Sequence, residues 1–243
     1  MLTYNGYTVR RTFDEDKQLS SVAIRKQNRL LKIHKIEMMY QWSSCFGLAP
    51  ILGTNRQQLV IVQNQGGAHC CYHYFIYDLS PMRLLFNSDK FKVADDASPF
   101  RLSDLDHDGK MELTMSASTF SYCCGLGYIG SPQPTVIFKY SSVSLTFLPV
   151  THGFESLLLK GADAEVADLD RESKPNWYRL FRVLADYIYA GRETQAWRLY
   201  DRESRRFPHA YTYKTEIKRL LHSDATYRVI YDHRRGFHFR VLK

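Results

Sequence analysis

Along most of the first 150 residues, apolar and polar side chains alternate with a period of two. That period places every second side chain on one face of a strand. Leu2 to Tyr4 and Tyr7 to Val9 flank Asn5-Gly6. This pair predicts a tight hairpin, because a type I′ turn needs positive φ at both central residues. Ser21 to Arg25 and Leu30 to Ile36 alternate about Gln27-Asn28, which predicts a second hairpin. Leu59-Val60-Ile61-Val62 is a short apolar run suited to a central strand, and Tyr72 to Tyr77 and Arg83 to Phe86 flank the turn-forming Asp78-Leu79-Ser80-Pro81. Thr135 to Tyr140 and Ser144 to Phe147 form the last predicted pair.

Beyond residue 150 the period changes. Gly161 to Pro175 reads as linker with room for one helical turn. Asn176 is a good N-cap for a helix from Trp177 to Ala190, whose apolar positions Trp177, Leu180, Phe181, Leu184 and Ile188 share one face. Gly191 supplies a C′ position where positive φ is cheap. A second helix runs from about Glu193 to Arg202 and ends before Phe207-Pro208; a third spans roughly Lys214 to Tyr231, with a break expected at Ser223-Asp224. The expected class is α+β. Residues 1–150 form an antiparallel β-rich domain, 151–175 a linker, and 176–243 a basic α-helical region.

Charge sharpens that division. The net +8 is uneven, with −1 over residues 1–170 and +9 over 171–243. Arg202, Arg205, Arg206, Lys214, Lys218 and Arg219 are therefore the candidate partner-binding residues, for an acidic protein surface. Interleaved Tyr211, Tyr213 and Tyr227 leave nucleic acid or another anionic surface as an alternative, although no recognised nucleic-acid motif accompanies them. An aromatic content of 14% argues against disorder, and no apolar run approaches the roughly 18 residues that span a bilayer. The start lacks a basic then apolar leader, so the expectation is a cytoplasmic protein or a mature form.

The stretch with the most chemistry is Asp104-Leu105-Asp106-His107-Asp108-Gly109-Lys110-Met111-Glu112. Carboxylates at alternate positions, a glycine where the chain turns and a further carboxylate beyond suit a hard cation that takes six to eight oxygens. A faint repeat surrounds it. Gly53-Thr54-Asn55-Arg56 precedes Leu59 much as the aspartate loop precedes Leu113, and the pairs Cys70-Cys71 and Cys123-Cys124 begin eleven and ten residues after those leucines. Loop, strand, Cys pair, strand occurring twice is the pattern of propeller blades. The four cysteines are candidates for disulfides, buried thiols or a metal cluster, with Cys45 left over. Neighbouring cysteines on a strand would point to opposite faces.

Asp104 to Leu113 resembles the FG-GAP/VCBS repeat, the calcium-loop blade of integrin-type β-propellers and many bacterial surface proteins. Gly66-Gly67-Ala68-His69-Cys70-Cys71 is similar to a motif of uncharacterised bacterial proteins with such blades. The resemblance implies Ca²⁺ held by Asp104, Asp106, Asp108 and Glu112 with the Lys110 carbonyl. It favours an extracytoplasmic location. It also implies an open or partial assembly, since two blades cannot close a propeller of four or more. Tyr187, Gly191, Ala196, Tyr200 and Pro208 fall at the spacing of a tetratricopeptide helix pair, although Leu184 and Glu203 stand where that family has small residues.

Together these features predict a non-catalytic, calcium-binding structural or protein-interaction module. The alternative is an enzyme using His69, Cys70, Cys71 and His73, with Cys71 and His73 on one strand face. A catalytic cysteine needs an orienting third group, and the sequence identifies none.

Overall fold

The computed structural model describes residues 1–37, 44–53, 55–64, 66, 72–93, 100–171, 176–207 and 209–232. Among the described residues, twelve strands form three antiparallel sheets of four, each a meander in chain order. The first holds β1 (Leu2–Tyr4), β2 (Tyr7–Asp14), β3 (Leu19–Lys26) and β4 (Arg29–Glu37). The second holds β5 (Ser44–Ala49), β6 (Gln58–Asn64), β7 (Tyr72–Leu79) and β8 (Met82–Asn87). The third holds β9 (Arg101–Ser103), β10 (Glu112–Ser116), β11 (Thr135–Ser141) and β12 (Thr146–Val150). Six α-helices follow among the described residues: α1 (Glu155–Leu158), α2 (Ala162–Arg171), α3 (Trp177–Tyr189), α4 (Glu193–Glu203), α5 (Ala210–Ser223) and α6 (Ala225–Asp232). The protein is α+β, as the change of period predicts.

The chain gathers into two compact units. One takes Met1–Lys90, Ala94–Glu112 and Tyr140–Phe147; the other takes Phe91–Val93, Leu113–Lys139 and Leu148–Lys243. The expected boundary at residue 150 is not where they part. Phe120 lies with its ring centre 5.1 Å from Phe181 and 6.1 Å from Tyr189 of α3, so this β-side segment shares the helical core.

In the first unit the predicted hairpins form as expected. Asn5 and Gly6 have φ of 49° and 76°, and Gln27 and Asn28 have 48° and 63°, the positive values that primed turns require. Alternation then sorts side chains. Tyr7, Val9, Val22 and Ile24 from the first sheet meet Leu59, Ile61, Phe75, Tyr77 and Leu79 from the second in one buried cluster.

In the second unit the side chain of Asn176 accepts from Arg179 N–H at 3.2 Å, the predicted N-cap of α3. Gly191, at φ 78°, donates its N–H to Ile188 O while Arg192 N–H reaches Tyr187 O, a Schellman closure. The break between α5 and α6 is Asp224, fully buried, whose carboxylate accepts from Thr226 N–H at 2.5 Å and from the Tyr189 hydroxyl at 2.6 Å. Burial and this neighbouring carboxylate hold the Tyr189 hydroxyl well above its usual pKa.

One expectation needs correction: residues 155–158 and 162–171 are helical, where a linker was expected. Helix α2 hides few apolar side chains, so hydrophobic period alone misses it; Leu169 and Ala162 are the buried ones. Its carboxylates hold it instead. Glu165 pairs with Arg182 at 3.1 Å, Asp168 with Arg179 at 3.2 Å and Asp170 with Arg202 at 2.7 Å, and Asp163 accepts from the Tyr187 hydroxyl at 2.8 Å.

Candidate metal centre

The aspartate loop joins β9 to β10. Carboxylate oxygens of Asp104, Asp106 and Asp108 lie within 4.8 Å of one another. Asp104 folds the loop around itself, one oxygen accepting from Gly109 N–H at 3.0 Å. Gly109 has φ 82°, at the position where the alternating carboxylates require a sharp turn. The other oxygen of Asp104, Oδ1, is buried and has no hydrogen-bond partner among the described residues. Lys110 partly answers the charge, donating its N–H to Asp108 at 2.9 Å and holding its ammonium 3.5 Å from the other Asp108 oxygen.

Glu112, the fourth carboxylate of the motif, is not one of these three. It is fully buried at the first position of β10, and its Oε2 accepts from Leu105 N–H at 2.8 Å, so it locks the loop shut. The same lock recurs in the loop between β5 and β6. There Gln58, fully buried at the first position of β6, accepts from Leu52 N–H at 2.9 Å. Gln58 precedes Leu59 as Glu112 precedes Leu113. The two loops also touch, with Met111 N–H donating to Ile51 O at 2.8 Å. The sequence repeat is thus matched by position, topology and hydrogen bonding. Gln58 escaped the sequence reading, although its place before the repeated leucine was the available signal.

No family model, curated protein or solved structure matches this chain.

The remaining predicted site residues fall in three places. Cys70 and Cys71, with His69, lie outside the described residues, as does Pro208. Cys123 and Cys124 lie in a turn instead of on a strand and are bonded to each other as a disulfide; Cys45 is free and exposed. Three of the basic residues are committed internally. Arg202 pairs with Asp170 and with Glu203 at 2.6 Å, Arg206 pairs with Glu203 at 3.1 Å, and Lys214 pairs with Asp201. Lys218 lies 5.3 Å from the Trp197 ring centre. Arg205, Lys218 and Arg219 are exposed.

His73, at the start of β7, has the orienting group that the sequence failed to reveal. Its Nδ1 is 2.6 Å from Asp89 Oδ1, while its Nε2 is buried without a hydrogen-bond partner among the described residues. The pair lines a cleft of about 360 Å³ with His34, Lys35 and Asn87. His34 is 2.9 Å from the Tyr77 hydroxyl. Burial, aided by Lys32, pushes His34 down to about 4, and burial pushes Tyr77 up to about 12. His34 is therefore neutral at pH 7.

Proposed function

We propose that this protein is a non-catalytic structural or protein-interaction module whose aspartate loop binds one Ca²⁺. The observation that carries the reading is Asp104, whose Oδ1 is buried without a hydrogen-bond partner among the described residues and whose carboxylate has an oxygen within 4.8 Å of those of Asp106 and Asp108. Three carboxylates held this closely repel by about 1 kcal/mol per pair even in a water-like dielectric, so an ion relieves a built-in strain. Asp104, Asp106 and Asp108 supply side-chain oxygens, the Lys110 carbonyl is a main-chain candidate, and water completes the shell. Glu112 serves as the lock behind them. The ion braces the loop and leaves the exposed Arg205, Lys218 and Arg219 to meet an acidic protein surface.

Thermal unfolding with and without Ca²⁺ tests this reading. At 100-fold excess over Kd the ion adds about 2.7 kcal/mol. Asp106→Asn is expected to remove that increment; a calcium-dependent Tm shift unchanged in the variant would rule the site out.

The His73–Asp89 pair favours a second reading, an enzyme in which Asp89 orients His73 as a general base. It predicts faster alkylation of one thiol near His73 than of free cysteine, and loss of that excess rate in His73→Gln. Uniformly slow alkylation overturns it.

A further inference from the structure

The turn that carries Cys123 and Cys124 is built to bring neighbouring side chains together. Cys123 N–H donates to Phe120 O at 3.0 Å and Leu126 N–H to Cys123 O at 3.0 Å. Tyr122, Cys124 and Gly125 have φ of 59°, 60° and 77°. Two of these three are non-glycine residues in the left-handed region, a conformation that neighbours on a strand never need. Surrounding contacts maintain it. The Trp177 indole N–H donates to Cys124 O at 3.0 Å, and a Cβ on Gly125 would lie 2.7 Å from the Tyr213 hydroxyl. Both cysteines are 3% exposed.

Helix α5 then adds a carboxylate. Glu216 Oε2 lies 4.0 Å from Cys124 Sγ, and the two sulfurs and this carboxylate all lie within 4.8 Å of one another. No lysine, arginine or histidine pairs with Glu216 among the described residues. This is a poor setting for a nucleophilic thiol, which needs a nearby positive charge to favour its thiolate. It is a good setting for a cation that supplies the positive charge itself. Thiolates select soft or borderline metals, and three protein ligands leave a fourth position to water.

We propose that Cys123, Cys124 and Glu216 form a three-ligand site for a thiophilic divalent cation of the Zn²⁺ or Cd²⁺ class, closed when the cysteines are oxidised and opened by reduction. A dithiol reductant opens it: two electrons and two protons pass to the Cys123–Cys124 bond, and the dithiol leaves as its own disulfide. The cation then displaces both thiol protons, binding two thiolates and the Glu216 carboxylate. The site is independent of the aspartate loop, which offers only oxygen.

The test uses full-length protein carrying Cys45→Ser, Cys70→Ser and Cys71→Ser, reduced with a dithiol and desalted without oxygen, and titrated with Cd²⁺. One equivalent should saturate the ultraviolet thiolate-to-cadmium charge-transfer band, while the oxidised protein gives none. Zn²⁺ should compete for the same equivalent. The near-isosteric Glu216→Gln keeps both sulfurs and should weaken Cd²⁺ binding by about tenfold or more, whereas Cys124→Ser should abolish the band. Equal binding by oxidised and reduced protein overturns the proposal. So does an unchanged affinity in Glu216→Gln, a variant that disturbs the turn least.

Discussion

Two loops occupy the same place in successive sheets and solve the same problem with opposite charge. The loop between β5 and β6 carries Arg56, whose guanidinium grips the buried Asp78 carboxylate, at 2.9 Å through Nε, and also reaches Ser80 O. The loop between β9 and β10 gathers three carboxylates and offers only Lys110, 44% exposed and 3.5 Å from Asp108. One loop carries its cation in the chain. In the proposal made above, the other takes its cation from outside. A shared lock, Gln58 in one and Glu112 in the other, shows that the frame is common.

The strongest way to break this comparison is Arg56→Met. It leaves Asp78 buried without its partner, and removing half of such a pair costs several kcal/mol. Because Arg56 is itself partly exposed, a loss of about 3 kcal/mol is expected in chemical denaturation. The loss should be the same with and without Ca²⁺. A loss that calcium repairs would mean that the two loops are not separate devices.

Asp106→Asn comes next. It should remove the calcium-dependent increment of about 2.7 kcal/mol measured at 100-fold excess over Kd. Without calcium, the same substitution should leave stability unchanged or raise it, because one member of a repelling trio has gone. The sign reversal separates an ion site from an ordinary solvated turn, in which the substitution has one sign in both buffers.

Acid titration sharpens the contrast further, because the sheets carry a titrating group unrelated to calcium. His34 falls from 6.5 to about 4 on folding, so the unfolded chain takes up the proton first. Its stabilisation is complete above pH 6.5 and is lost as pH falls through about 4. The expected loss is about 2 kcal/mol, discounted from the full shift. This limb should be identical with and without Ca²⁺ and should flatten in His34→Gln. Any further acid limb that appears only with calcium belongs to the aspartates.

What the sequence discloses follows from the range of each interaction. Asn5-Gly6, Gln27-Asn28 and the Asn176 cap work within a few residues, and each is found where the pattern puts it. The aspartate spacing is also local, so the carboxylate cluster was legible. Asp89 beside His73 and Glu216 beside Cys124 lie 16 and 92 residues apart from their partners, and nothing in a one-dimensional pattern couples them. Helix α2 was hidden for a different reason. It is fastened by ion pairs to α3 and α4, and a search for apolar period has no sensitivity to Asp168 meeting Arg179. The same pairs change the meaning of the +9 tail. Residues 151–170 carry five carboxylates and one lysine, and three of those carboxylates neutralise Arg179, Arg182 and Arg202.

The smallest expected effect is the most discriminating. If Glu112 is a lock, its charge is dispensable, because Gln58 does the same work as a neutral amide. Glu112→Gln keeps an oxygen to accept from Leu105 N–H and should change stability by less than about 1 kcal/mol. It should also leave Ca²⁺ affinity nearly intact. Glu112→Ala leaves that half-buried N–H without its acceptor and should cost about 1–3 kcal/mol whether or not calcium is present. Were Glu112 instead a direct ligand, Glu112→Gln would weaken calcium binding severely while barely altering the apo protein. Calorimetric titration of that one variant therefore decides whether the proposed site uses three carboxylates or four, and whether the kinship of the two loops extends to their locks.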